Sequence, residues 1–169
     1  MQSLESGRMT PVMSDTQSSR YVVVTGIDYS ELSRLALCTA LVLAEKRRGV
    51  LHAITVAEGY GPPLPADLMD EEKRLYNENA LRTLRAHVEE QASAVLSDPH
   101  AVRFEFHSEI GGNPADRIDA LARKVNADLI VIGIAGRRGI TEALMGSAAE
   151  RILRHAACSV LVVRPKTGP

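Results

Sequence analysis

Apolar residues along this chain fall into short continuous runs, separated by longer stretches where they recur every three or four positions. The first run, Tyr21–Ile27 (YVVVTGI), is rich in β-branched residues and ends at Asp28. Continuous rather than alternating apolar character suits a strand buried on both faces, as in a parallel sheet. Ser30 then stands where it would cap a helix carrying Leu32, Leu35, Ala36, Leu41 and Leu43 at helical spacing. Its end is marked by Glu45-Lys46-Arg47-Arg48 and then Gly49, basic residues in the last turn with a glycine beyond. Val50–Ala57 (VLHAITVA) reads as a second strand.

Gly59 to Pro65 holds three prolines and two glycines and can continue neither element. From Asp67 to about Leu96 the pattern predicts a long helix, with Leu68, Leu75, Leu81, Leu84, Val88, Ala92 and Val95 on one stripe. Such a stripe faces a core by default, or else a partner. Asp98-Pro99 breaks the helix. Ala101–His107 (AVRFEFH) alternates apolar and polar, so it predicts a strand nearer an edge. Gly111-Gly112-Asn113-Pro114 is a turn into a helix, with Asn113 as N-cap and Pro114 in the first helical position; that helix ends near Lys124. Asp128–Ile132 (DLIVI) is a fourth strand, Ser147 to about His155 a last helix, and Ser159–Val163 (SVLVV) a fifth strand.

Strands alternating with helices require right-handed crossovers, and so an α/β fold: a doubly wound five-stranded parallel sheet with helices on both faces. In such sheets ligands bind beyond the carboxyl ends of the strands, where the strand order reverses. Function is therefore expected just after Ile27, Ala57, His107 and Ile132.

Composition adds limits. The chain has 169 residues, 45% hydrophobic and 24% charged, with a formal net charge of -1. That suits one domain with a sizeable core, and it gives no basic footprint for nucleic acid. Aromatic residues are few and Trp is absent, which disfavours base-stacking platforms. Cys38 and Cys158 sit apart in apolar stretches and read as reduced, buried thiols. Residues 1–20 lack apolar periodicity and a signal-peptide core, so they read as a disordered extension or a mis-assigned start ahead of a domain spanning 21–165, with 166–169 as a tail. No apolar run approaches the ~20 residues of a membrane span, and the expected location is the cytoplasm.

The segment with chemistry is the one after the fourth strand. Gly133, Gly136, Gly146 and Ser147 form G-x2-G-x9-G-S between a buried strand and a helix. Gly133 and Gly136 would let the backbone reach positive φ and approach a ligand closely. Gly146 and Ser147 would present backbone N–H groups at a helix N-terminus, an anion site suited to phosphate. No G-x4-G-K-[ST] loop is present, and no G-x-G-x-x-G follows the first strand. No G-x-S-x-G elbow or H-E-x-x-H pair occurs.

With GIDYSELSRLAL at the start, VLHAITV in the second strand and DLIVIGIAGRRGITEALMGSAAERILRHAACSVLVVRP at the end, the chain resembles the universal stress proteins, in the branch that binds ATP. The resemblance runs from about Tyr21 to Pro165. It implies strand order 3-2-1-4-5, an adenine nucleotide alpha hydrolase-like fold, and a homodimer through the last strand. It also implies a stress-response or signalling module working through a nucleotide-dependent partner. By the same resemblance Gly26 and Ile27 line an adenine pocket, Asp28 contacts the nucleoside, and Val56 recognises adenine through its backbone. Ile132, Gly133 and Gly136 approach ribose and phosphates, and Gly146, Ser147 and Ala148 hold the phosphates; apart from the resemblance, the charges of Arg137 and Arg138 would compensate for a missing phosphate contact. The implied cofactor is ATP, or else ADP or AMP, with Mg2+ or Mn2+ held mainly through phosphates. This chain departs from the family at Gly26, where relatives often carry Pro, and at Ala149, where they often carry a hydroxyl residue. A nucleotide-free interaction protein of the same fold, or a weak ATPase, stays open as an alternative.

Overall fold

The computed structural model describes residues 20–57, 69–134 and 147–165, with the side chains of Met69 and Ser147 left aside. Five strands and four helices alternate: β1 Val22–Gly26, α1 Glu31–Arg47, β2 Val50–Ala57, α2 Met69–Val95, β3 Arg103–Ile110, α3 Pro114–Lys124, β4 Leu129–Gly133, α4 Ser147–His155 and β5 Ser159–Val163. A short 3-10 turn, Pro99–Ala101, precedes β3. All pairings are parallel, in the order β3-β2-β1-β4-β5. The sheet is therefore the doubly wound one that the alternating elements predict.

Each face of the sheet buries its own apolar layer. Val23, Leu51, Ala53, Leu129 and Val131 pack against α1 and α2. Val24, Ile54, Ile130 and Ile132 point the other way, against α3 and α4. Odd and even positions of one strand serve opposite layers because side chains alternate across a strand. This is why β1 and β4 read as unbroken apolar runs. Thr25 is the buried polar residue of β1, and its Oγ1 donates to the Val131 carbonyl at 2.9 Å, tying β1 to β4.

Several elements differ in detail from the sequence pattern. In α1 the buried line is Ser33, Ala36, Leu37, Ala40, Leu41 and Ala44; Leu35 and Leu43 are half-buried. The left-handed residue after α1 is Arg48 (φ 47), not Gly49. Gly49 is needed instead for clearance, because a Cβ there would lie 2.3 Å from the Tyr21 carbonyl oxygen. In α2, Leu84, Val88 and Ala92 are buried but Leu75 is 56% exposed. The helix has 27 residues, about 40 Å at ~1.5 Å per residue. The eight residues of β3 span about 26 Å at ~3.3 Å each. The first turns of α2 therefore overhang the sheet, and the apolar stripe there finds no strand to cover. β3 runs to Ile110, past the predicted end at His107, so His107 and Ser108 lie inside the strand. Cys38 and Cys158 are free but only half-buried.

The turn into α3 forms as the sequence predicts. Gly111 and Gly112 have φ of 74° and 86°, and Asn113 Oδ1 accepts from the Ala115 amide at 2.9 Å. Among the described residues no helix is long and apolar enough to cross a membrane.

Candidate functional site

β1 sends its chain onward to α1 on one face of the sheet, while β4 leads on towards α4 on the other. Where the two strands lie side by side the helices part, and their separation leaves a crevice at the carboxyl ends. A cavity of about 290 Å³ occupies it. That is near the lower end of small-molecule sites, ~300–1,000 Å³. The strand ends supply Gly26, Ile27 and Asp28 from β1, Ile54 and Val56 from β2, and Ile132, Gly133 and Ile134 from β4. Helices close it: Ser30, Leu32 and Ser33 at the start of α1, Ile118 of α3, and Ala148, Ala149 and Ile152 of α4.

Of the residues singled out in the sequence, Gly26, Ile27, Asp28, Val56, Ile132, Gly133 and Ala148 thus meet on one wall. Gly136, Arg137 and Gly146 lie outside the described residues, and of Ser147 only its place at the start of α4 is described. The end of β3 contributes nothing to the wall, although the sequence marked it as a place to look. Several wall residues escaped the sequence reading. Ile54 carried a signal, since it stands two residues before Val56 on the same face of β2. Ile118 and Ile152 carried none beyond helical periodicity; only packing shows that α3 and α4 bring them here.

Two glycines are explained by clearance. A Cβ at Gly133 would lie 2.2 Å from the Leu32 carbonyl oxygen, inside the first turn of α1. The expected positive φ is not what Gly133 provides; among the described residues the left-handed glycines are Gly111 and Gly112. A Cβ at Gly26 would meet Ile118 Cδ1 at 2.6 Å. Gly26 therefore lets α3 bring Ile118 down onto the cavity floor.

The wall is mostly apolar, and its polarity collects at the turn from β1 to α1. Ser30 is the N-cap of α1: its Oγ accepts from the Ser33 amide at 3.2 Å. Asp28 Oδ1 accepts from the Ser30 amide at 2.9 Å, the side-chain-to-backbone turn that Asp favours. Asp28 thus shapes the turn and also lies on the wall. Loss of hydration pushes its carboxyl up, but the Ser30 and Ser33 hydroxyls and the Ser30 amide outweigh this and hold it below the usual 3.8. It stays ionised at neutral pH. Among the described lining residues it is the one with a formal charge.

Opposing that charge, the N-termini of α1 and α4 both open on the cavity. Each helix start carries partial positive charge and amides free of intrahelical partners. The placement of α4 is held by α3: Arg151 forks onto Asp116 at 2.5 and 3.0 Å, and Arg123 donates to the His155 carbonyl at 2.8 Å. The site therefore combines an apolar slot, a hydrogen-bond-accepting carboxylate at its edge and two helix starts. It suits a ligand with a flat apolar body, hydroxyl donors and an anionic end.

Fold and cavity together define an open α/β sheet with a crevice at its topological switch point. The model of the universal stress protein family matches residues 21–164, and the chain belongs to that family. A universal stress protein of Methanocaldococcus jannaschii is 32% identical over 149 residues, covering 84% of this chain and 81% of that one. A universal stress protein solved in complex with cAMP superposes with a TM-score of 0.59 at 24% identity, covering 87% of this chain and 98% of that one. The universal stress protein from Archaeoglobus fulgidus in complex with dAMP gives 0.54 at 20% identity, covering 85% and 98%.

Proposed function

We propose that this chain binds an adenine nucleotide, with ATP as the principal ligand, and acts as a stress-response or signalling module whose partner surface depends on occupancy. One observation carries the reading: the cavity at the β1/β4 switch point is apolar where a base would lie and opens on the N-terminus of α4 where phosphates would lie. The complexes of structural neighbours with cAMP and dAMP support the choice of adenine. In this reading Ile27, Ile54 and Val56 sandwich the base, Asp28 accepts from ribose hydroxyls, and the start of α4, Ser147 and Ala148, receives phosphate. Gly136, Arg137 and Gly146 belong to the same phosphate loop by sequence.

A divalent metal fits this arrangement only through the ligand. Asp28 is the carboxylate on the described wall, and among the described residues no group of three or more His, Cys, Asp or Glu could hold an ion. Mg2+ or Mn2+ would take its ligands from phosphate oxygens and water. The location proposed with this function is the cytoplasm, where adenine nucleotide is plentiful.

We also propose a twofold homodimer through β5. Its five residues SVLVV form one edge of the sheet, with Leu161 36% exposed, and an apolar edge tends to pair. Sedimentation showing only monomer at micromolar concentration would remove this part.

Binding is tested by denaturing the purified protein, identifying released nucleotide by chromatography, and titrating with ATP, ADP, AMP and cAMP by calorimetry. Co-purified or titratable adenine nucleotide is the expected result. No released nucleotide together with no heat at millimolar concentrations overturns the reading.

A further inference from the structure

The turn that brings Asp28 to the cavity contains a residue in an unfavourable backbone region. Tyr29 has φ 62°. A side chain there crowds the following carbonyl, and for a bulky residue the position marks strain. Burial of the ring does not explain the residue, since Tyr29 is 47% exposed. Nor does direct contact with the cavity, whose described wall includes Asp28 and Ser30 but not Tyr29.

What Tyr29 does touch lies behind the turn. Its ring meets His87 of α2 edge-on, with centroids 5.4 Å apart and planes at 68°. His87 Nε2 has no hydrogen-bond partner among the described residues, so His87 engages the turn through its ring. The turn between β1 and α1 is thereby tied to α2 through this one side chain. The aromatic contact is of the same order as the strain it offsets. Strain sustained next to a ligand site is a common sign of pre-organisation.

We propose that Tyr29 is a positioning residue: held by the His87 ring, it keeps the left-handed turn that sets the Asp28 carboxylate and the Ser30 hydroxyl on the cavity wall. This rests on the cavity being a ligand site. It adds that α2, which contributes nothing to the described wall, controls the geometry of the carboxylate through one ring. Phe at position 29 keeps the ring contact. Ala removes the ring and keeps the strain. Gly removes the ring and relieves the strain, so it separates clamping from mere tolerance of the φ angle.

The test has two arms. In the ligand-free protein, the Asp28 carboxyl is titrated by carbon NMR in wild type, Tyr29→Phe, Tyr29→Ala and Tyr29→Gly, with thermal unfolding confirming that each is folded. Asp28 is expected to titrate below 3.8 in wild type and Tyr29→Phe, and to move up towards that value in both Ala and Gly variants. In the second arm AMP is titrated calorimetrically. Tyr29→Ala and Tyr29→Gly are expected to weaken binding about tenfold, Tyr29→Phe less than threefold. In an Asp28→Asn background the Tyr29→Ala loss should shrink to under threefold, because both changes act on one interaction. Unchanged Asp28 titration in folded Tyr29→Ala overturns the proposal, as does full additivity with Asp28→Asn. If wild type does not bind AMP the same titrations are made with ATP, and absence of binding of both overturns the proposed function, while the first arm still decides whether Tyr29 holds the turn.

Discussion

A methyl group at position 133 would have to share space with the Leu32 carbonyl oxygen, 2.2 Å from the built Cβ. Backbone cannot swing aside as a side-chain end can. Gly133→Ala should therefore destabilise by at least ~1–3 kcal/mol, read as a lower denaturation midpoint. At Gly26 the obstacle is the tip of Ile118, 2.6 Å away, which can rotate. Gly26→Ala should cost less stability and still weaken ligand binding by narrowing the cavity; equal stability losses for the two variants would contradict this difference. Asp28 ties stability to pH with a definite sign. Its carboxyl lies below 3.8 in the folded chain, so the unfolded chain takes up the proton first as pH falls. The stabilising contribution is present above about pH 4 and is lost below it. Asp28→Asn should flatten that part of an acid-unfolding profile.

At the scale of elements, α2 divides into a packed half and an overhanging half. Leu84 is fully buried and Leu75 is 56% exposed, though both belong to the same apolar stripe. Leu84→Ala should cost ~2–5 kcal/mol, whereas Leu75→Ala should stay within about 0.5 kcal/mol, both by chemical denaturation. The β2–β3 pair carries a second pH-dependent feature. His52 Nδ1 and His107 Nε2 stand 2.9 Å apart, half-buried, so one ring must accept from the other and double protonation breaks the bond. Burial pushes both rings below the usual 6.5. His52 is lowered further by His107 and Arg103, and His107 by Lys124; Glu105 pulls both up, and Glu109 also raises His107. A depressed imidazole stabilises the fold above the unfolded value and ceases to do so as pH falls through the folded one. Stability should fall from about pH 6.5 downward, and His107→Gln should reduce that slope.

For the whole molecule, the proposed ligand and the proposed dimer can be measured by mass action. A nucleotide at 100 times its dissociation constant should add about 2.7 kcal/mol to the folded state, seen as a rise in unfolding temperature with ATP and not with ribose. The α/β alternation behind this architecture is legible in the sequence. β2, α3, α4 and β5 begin and end close to where periodicity and caps placed them. The overhang of α2 and the three residues added to β3 were not legible, because the length of neighbouring elements decides how much of a stripe finds cover.

The same division holds for the site. Local chemistry in the sequence determined the runs that become strands, the Ser30 and Asn113 caps, and the glycines and Asp28 gathered at strand ends, since propensity and capping depend on near neighbours. Only the tertiary structure decided that Ile118 and Ile152 complete the cavity. It also decided that Gly133 clears the Leu32 backbone rather than taking a left-handed φ, and that Tyr29 is gripped by a histidine of α2 58 positions further along the chain. Such contacts arise where helices converge on opposite sides of a switch point, and a linear pattern carries no record of which distant side chains will meet there.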